Sequence, residues 1–183
     1  MDNKQNYFEL FQLPVSPDVD VRKLVPVYRQ LQKTVHPDRF ADANAQQQRL
    51  AIEYASYVNQ AYETLKSPLE RCKYLLMLAG HPVDMERNTV SDSAFLMQQM
   101  ELRESLEDIR EQGGPFPALD QLMHTVAQET DGYFHEFQLW WEANHIQWEQ
   151  VDFQQADSLL RKMQFMVKLT AEMDELDAEL MDR

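Results

Sequence analysis

The sequence predicts an all-α protein with an antiparallel helical hairpin in its N-terminal part and a three-helix bundle in its C-terminal part. Three observations predict this class. The 183 residues include only 4 glycines, the stretches between turn signals are long, and apolar residues in those stretches recur at helical spacing. The hydrophobic and charged fractions, 44% and 26%, are ordinary for a globular protein.

The charge distribution separates the chain into two parts. Residues 1–79 carry 10 Lys and Arg against 9 Asp and Glu, a net charge of +1, whereas residues 80–183 carry 7 against 22, a net charge of −15. We therefore expect a first domain over 1–79, a linker over 80–90 and the helical bundle over 91–183. The acidic second part argues against a nucleic-acid partner, because phosphates require a basic surface.

Residues that build catalytic and metal sites are sparse. The single cysteine, Cys72, excludes an internal disulfide and a cysteine-rich metal site. The sequence has no Gly-rich phosphate loop and no paired acid/base site. We therefore predict no enzyme activity, no catalytic residue, no cofactor and no metal. No apolar run approaches the ~20 residues that span a bilayer, and the polar N-terminus lacks the layout of a secretory signal. We accordingly expect a cytoplasmic protein without a membrane partner.

Two helices form the predicted hairpin, over about residues 20–35 and 44–66. At 100° per residue, the first places Arg22, Arg29 and Lys33 together, opposite its apolar face. The inner face predicted for the second helix consists of Leu50, Tyr54, Tyr57, Val58, Ala61 and Leu65. A short helix near residue 7 precedes the hairpin, and the cap sequence Ser67-Pro68 starts another after it.

A proline interrupts the pattern of the first hairpin helix. Pro26 lies in its interior and has no N–H, so the backbone hydrogen bond to the Arg22 carbonyl is lost. We predict a kink or an irregular first turn around residues 22–26. Such a distortion would affect the placement of Arg22 more than that of Arg29 or Lys33.

The tripeptide His36-Pro37-Asp38 directly follows the helix with the basic face and precedes the segment Asn59-Gln60-Ala61-Tyr62-Glu63-Thr64-Leu65. This arrangement, over about residues 5–75, resembles the J domain of DnaJ-type co-chaperones. Proline stiffens the loop, and a basic stripe steers toward an acidic partner. The resemblance implies that a DnaK-like chaperone ATPase is bound by His36, Pro37 and Asp38 together with Arg22, Arg29 and Lys33.

Three helices are predicted in the second part, over about residues 92–111, 117–147 and 152–181, and short connections between them favour an antiparallel bundle. The core stripe expected on the first of these is Phe95, Leu102, Leu106 and Ile109. The stripe expected on the last is Ala156, Leu160, Met163 and Val167. The long stripe on the middle helix includes Trp140, Trp141 and Trp148, which we assign to the core.

Several apolar residues lie off these stripes. Leu96, Met97 and Met100 deviate from the stripe on their helix by roughly 100°, 160° and 140°, and they share a side with Glu101 and Glu104. Phe165 lies nearly opposite the stripe on the last helix. Apolar residues outside a core and bordered by carboxylates predict an interaction site, and methionine suits an adaptable surface. In the alternative, a wider bundle interface buries Leu96 and Met100.

Two segments of the second part narrow the family. Residues 89–104, which include Phe95-Leu96-Met97, and the block Leu160-Arg161-Lys162-Met163-Gln164-Phe165 are similar to the C-terminal domain of HscB-type co-chaperones, bacterial type. In that family this bundle binds the scaffold protein on which iron–sulfur clusters are built (IscU type), and the co-chaperone delivers the scaffold to a dedicated DnaK-like ATPase (HscA type). The resemblance therefore names the partner for the site predicted at Leu96, Met97, Met100, Glu101, Glu104 and Phe165.

Two other hypotheses remain open at the level of sequence. One is a J-domain co-chaperone with a client unrelated to iron–sulfur assembly. The other is a structural helical protein that oligomerises through its acidic last helix. Leu159, Met166, Met173 and Leu180 recur there every seven residues, as in a short coiled coil.

Overall fold

The computed structural model describes residues 5–35, 43–85, 92–113, 116–146, 148 and 151–181. Its described regular elements are all helices, which confirms the all-α class. They are α1 (Tyr7–Leu10), α2 (Val21–Val35), α3 (Ala45–Lys66), α4 (Pro68–Leu78), α5 (Ser93–Glu111), α6 (Phe116–Asn144) and α7 (Gln154–Met181). The chain divides into two compact units, Met1–Gly80 and His81–Arg183.

The first unit is the predicted hairpin of α2 and α3, with α4 and α1 packed on α3. Side-chain caps define where its helices begin. Asn44 starts α3 with a reciprocal capping box to Gln47, and the Ser67 hydroxyl caps α4, whose first residue is proline. Gly80, with φ +83°, follows the last turn of α4 in a conformation that favours glycine. The core of the unit includes Phe8, Phe11, Leu24, Val58, Leu65 and Leu75.

Helix α2 runs through Pro26 without a break. The Lys23 N–H donates to the Asp20 carbonyl at 2.9 Å, so the first turn closes at a three-residue interval instead of the four-residue interval of an α-helix. The Asp20 carboxylate also accepts from the Arg22 N–H at 3.1 Å. A kink at Pro26 stays a prediction.

The predicted inner face of α3 is wrong at Leu50, which is 50% exposed, while Ala51 is buried. Both residues lie at helical intervals from Val58, seven and eight positions away, so spacing alone does not choose between them. The first turn and a half of α3 is exposed throughout, and the larger side chain therefore gains no partner there. The predicted core positions Val58, Ala61 and Leu65 are confirmed.

The second unit is a three-helix bundle in which α5, α6 and α7 all contact one another. The stripe predicted on α5 is confirmed, since Phe95, Leu102, Leu106 and Ile109 are all buried. Trp140 and Trp141 are buried on α6 as predicted, and they pack around Phe137 with centroid distances of 5.6 and 6.5 Å. Trp148 departs from the prediction, since it follows the end of α6 and is only half-buried. The tryptophans thus stabilise the bundle core at one end.

Helix α7 departs from its predicted stripe. Ala156, Leu160 and Met163 are buried, but Val167 is 47% exposed. The buried positions that continue the stripe follow a seven-residue repeat, and they are Leu159, Met166, Met173 and Leu180 together with Leu169 and Leu176. An apolar stripe with a repeat of 3.5 residues shifts gradually around a helix that has 3.6 residues per turn. Extending the stripe from the first turns of α7 therefore places Val167 on the buried face incorrectly.

Part of the segment predicted as linker packs on α7. The His81 Nε2 lies 2.9 Å from the Asp157 carboxylate, and the His81 ring stacks on Phe153 at 4.2 Å. Arg161 donates to the Asp84 carbonyl at 3.2 Å. Residues 81–84 therefore belong with the second unit, while 86–91 lie outside the described residues.

Candidate functional site

The loop motif His36-Pro37-Asp38 lies outside the described residues. The elements on either side of it are described. Helix α2 ends at Val35, and the Asn44 cap of α3 begins eight residues after His36. In chain order the motif lies between α2 and α3, which pack together as a hairpin.

The basic face of α2 is exposed at Arg22, Arg29 and Lys33. Arg22 differs from Arg29 in its surroundings. Its guanidinium grips the Asp20 carboxylate with two hydrogen bonds, Nε to Oδ1 at 2.9 Å and Nη2 to Oδ2 at 3.0 Å, and these bonds hold the pKa of Asp20 below its usual value. Arg29 has no ion-pair partner among the described residues. The positive charge of Arg22 is thus offset locally, whereas that of Arg29 is available to a partner.

A polar cluster joins α2 to α3 beside the basic face. The Tyr28 hydroxyl donates to Asn59 Oδ1 at 2.9 Å, and the Gln32 amide donates to the same oxygen at 3.2 Å. The Tyr28 ring stacks on Tyr62 at 4.1 Å. These contacts fix how α2 sits against α3 and therefore where Arg29, one residue after Tyr28, is presented. This cluster was not predicted from the sequence, although Asn59 and Tyr62 lie in the segment 59–65 that carries the resemblance to J domains.

The second candidate surface lies on α5. Leu96, Met97 and Met100 are 44%, 64% and 72% exposed, which rules out their burial by a wider bundle interface in this chain. Glu101 and Glu104 are exposed beside them. We call these five residues the α5 patch. It combines apolar side chains and carboxylates, as the sequence predicted.

Phe165 was predicted to be exposed, and the structure corrects this, since its side chain is half-buried. The ring packs edge-on against Phe95 with centroids 5.8 Å apart, and the Arg103 guanidinium carbon lies 5.6 Å from its centroid. Arg103 is seven residues after Leu96 and so lies on the same flank of α5. That flank faces Phe165 on α7, and the contacts with Phe95 and Arg103 hold the Phe165 ring against α5.

Comparison with known proteins decides the family. Residues 91–174 match a family model described as the HSCB C-terminal oligomerisation domain. A protein of Colwellia psychrerythraea named co-chaperone protein HscB homolog is 39% identical over 183 residues, covering 97% of this chain and 99% of its own length. A relative of the same name from Shewanella amazonensis is 40% identical over 181 residues, with the same coverage. The chain belongs to the HscB family of co-chaperones.

Solved HscB structures share the fold. Chaperone HscB from Vibrio cholerae matches with a TM-score of 0.79 at 36% identity, over 96% of this chain and 99% of that one. Human co-chaperone protein HscB matches with a TM-score of 0.82 at 27% identity, over 95% of this chain and 83% of that one. The first unit is accordingly the J domain of this HscB-family chain, and the second is its C-terminal helical bundle.

The cysteine and the possible metal ligands of this HscB-family chain form no further site among the described residues. Cys72 is fully buried, and burial raises the pKa of its thiol, so the reactive thiolate is disfavoured. In the part of the chain that the structure describes, no three His, Cys, Asp or Glu side chains are grouped to hold a metal ion. No described helix is long and apolar enough to cross a membrane.

Proposed function

We propose that this HscB-family chain stimulates the ATPase of a DnaK-like chaperone and delivers an iron–sulfur scaffold protein to it in the cytoplasm, so assisting the maturation of iron–sulfur proteins. One observation carries the proposal. A single chain presents two chemically different surfaces on separate units, a basic face on α2 and the apolar, acid-bordered α5 patch.

The α2 face suits an acidic partner. Exposed cations accelerate the encounter with a surface of opposite charge and set its orientation, and they contribute less to the final affinity. His36, Pro37 and Asp38 follow the basic helix directly, so a chaperone drawn to Arg29 and Lys33 meets the motif next. In this hypothesis the motif acts on the ATPase, and the cations of α2 position it.

The α5 patch suits a partner with an apolar docking surface. Exposed apolar side chains that become buried on binding supply most of the affinity of an interface. Methionines at two of its three apolar positions adapt to the shape of a partner. Glu101 and Glu104 favour a partner with basic residues around its apolar centre, and they act mainly on association rate.

The presence of both surfaces on one chain also accounts for delivery of the scaffold to the chaperone. Two proteins bound to the same chain meet at an effective concentration set by the chain itself, which exceeds their free concentrations. A scaffold held on the α5 patch is thereby offered to the chaperone whose ATPase the J domain stimulates. No enzyme chemistry in this chain is required.

The loop is tested by steady-state ATPase rates of the DnaK-like chaperone with the full chain. We expect stimulation by the wild type and none by His36→Gln at saturating concentration. The melting temperatures of both proteins are compared, so that a loss of stimulation is not mistaken for unfolding. His135→Gln is the matched control, since His135 is exposed on α6. Full stimulation by His36→Gln would contradict the proposal.

The α5 patch is tested by calorimetry with the iron–sulfur scaffold protein. Replacing Leu96, Met97 and Met100 together by Ala should abolish detectable binding, since each truncated anchor costs about 1–3 kcal/mol. Stimulation of the ATPase without scaffold should persist. The double change Leu139→Ala and Ile146→Ala removes exposed apolar side chains of α6 and the turn after it, and it should leave binding intact. If the wild type stimulates the ATPase but does not bind the scaffold, the client is another protein.

A further inference from the structure

Lys162 lies where the three helices of the second unit meet. It extends from α7, its side chain is only 17% exposed, and its ammonium is enclosed by groups from α5 and α6. Building on the proposed function, we infer that Lys162, paired with Asp92, is a positioning residue of the scaffold-docking surface. It holds the first turn of α5, which bears Leu96, against the stretch of α7 that bears Phe165.

The ion pair is close and partly shielded from water. Lys162 Nζ lies 2.7 Å from Asp92 Oδ2, and this hydrogen bond is the main cause that lowers the pKa of the Asp92 carboxyl. Partly buried ion pairs are screened by salt less than exposed ones. The exposed pair of Arg110 and Glu107 on α5, at 3.7 Å, lacks this shelter.

Two aromatic rings complete the surroundings of the ammonium. Lys162 Nζ is 5.4 Å from the centroid of Phe95 on α5 and 5.4 Å from that of Tyr133 on α6. Both distances are in the range of cation–π attraction. The two rings meet edge to face, with centroids 5.9 Å apart at 89°, and the Tyr133 hydroxyl is held by Gln98 at 2.9 Å. The site is thus specific for a cation, because a neutral side chain would forgo the carboxylate and both ring faces.

Asp92 links this cation to the patch. Its Oδ1 accepts from the backbone N–H groups of Ala94 and Phe95, both at 3.1 Å, and so caps α5, while its Oδ2 binds Lys162. Leu96 is the next residue after these donors. The cap therefore fixes the turn that carries Leu96, and the second oxygen ties that turn to α7.

Lys162 is also linked to the position of Phe165 on α7. Phe165 is three residues after Lys162 and lies on the adjacent flank of the helix. Its ring rests on Phe95, the ring that Lys162 also contacts. Phe95 thus contacts both the Lys162 ammonium and the Phe165 ring, so we expect a shift of Lys162 to move Phe165 relative to the first turn of α5.

The test is calorimetric affinity of the full chain for the iron–sulfur scaffold protein. Lys162→Met keeps length and apolar stem but removes the charge, and we expect it to weaken binding about tenfold. Lys162→Arg keeps a cation at the rings and should retain most of the affinity. Lys168→Met, at an exposed position of the same helix, should change affinity less than about twofold.

Asp92→Asn isolates the ion pair, because asparagine still caps a helix. It should weaken binding as Lys162→Met does, and the double variant should be no weaker than either single variant, since all three lack the same contact. Equal affinity of Lys162→Met and the wild type would overturn the inference. Equal loss in Lys162→Arg and Lys162→Met would also overturn it, because packing rather than charge would then matter.

An NMR measurement on the free protein separates this inference from the proposed function. In Lys162→Met, with the fold intact, the signals of Leu96 and Phe165 and the contacts between the first turn of α5 and α7 should change, whereas Lys168→Met should leave them as in the wild type. If the wild type fails to bind the scaffold, the proposed function fails but these signals still decide the positioning role. Unchanged signals in Lys162→Met would refute it.

Discussion

Among single residues, the three cations of α2 show most clearly what surroundings do to a predicted site. Arg22, Arg29 and Lys33 share one face by helical spacing. Arg22, however, has its guanidinium bonded twice to Asp20. A cation already neutralised by a neighbour contributes little to the field that a partner meets. The face proposed to meet an acidic chaperone therefore presents more of its charge at Arg29 than at Arg22.

Charge reversal tests this ranking. Arg29→Glu should weaken chaperone binding by about 0.5–1 kcal/mol, roughly two- to fivefold in Kd, and more at low than at high salt. Arg22→Glu should have the smaller effect, and Arg49→Glu, on α3, serves as the control. Binding is measured by calorimetry at two salt concentrations. A loss in Arg22→Glu equal to that in Arg29→Glu would show that the Asp20 pair does not shield Arg22.

The partial burial of Phe165 affects how a substitution of this residue is interpreted. Its contacts with Phe95 and Arg103 make it part of the structure as well as of the proposed surface. Truncating it removes packing in addition to any partner contact. Leu96, Met97 and Met100 are more exposed, so their substitution is the cleaner measure of docking.

At the level of helices, α2 accommodates Pro26 at a cost that other interactions offset. Leu24 is completely buried against the rest of the first unit, and Tyr28 is hydrogen-bonded to Asn59. Tertiary contacts on both sides of the proline thus hold the helix in place. Propensity alone would have ended the helix at this residue.

Replacing the proline should stabilise the chain. Pro26→Ala restores a donor for the Arg22 carbonyl and removes the ring that crowds it, so we expect the free energy of unfolding to rise by about 1 kcal/mol or more. For a unit of this size that is a rise in Tm of about 4–8 °C. Pro14→Ala is the control, at an exposed, non-helical position, where loss of proline should slightly destabilise the chain. A Tm of Pro26→Ala at or below that of the wild type would contradict the expectation.

At the scale of the whole molecule, the residues of the seven-residue repeat on α7 are buried within the three-helix bundle. Leu159, Met166 and Met173 are 3%, 0% and 0% exposed, and Leu180 is 8% exposed. A coiled coil with a second chain requires such positions on the surface. The observation behind the hypothesis of oligomerisation through the last helix is therefore accounted for by packing within one chain.

Two copies of the chain should accordingly not pair through α7, because the repeat that would join them is buried. If no other surface joins copies, light scattering at increasing protein concentration should give a constant mass near 21.6 kDa. The triple Ala variant of Leu96, Met97 and Met100 should give the same mass. A mass that rises with concentration in the wild type but not in this variant would instead identify the α5 patch as a contact between copies.

Much of this protein follows from its sequence alone. Helix positions, the core stripe of α5 and the exposed α5 patch depend on local spacing and caps, and these are properties of neighbouring residues. The loop motif and the segments around Phe95 and Phe165 likewise carry the family resemblance in the order of residues. The helical class and the α5 part of the candidate site were therefore predictable.

Other features were decided only by the tertiary structure, because they depend on residues far apart in the chain. Lys162 meets Asp92 across 70 positions, and helical spacing on α7 gives no sign of that partner. The choice of Ala51 over Leu50, the exposure of Val167 and the half-burial of Phe165 likewise depend on which neighbouring helix is present at each turn. Periodicity specifies which face of a helix is apolar, but the packing of other helices determines how wide a strip of that face is covered.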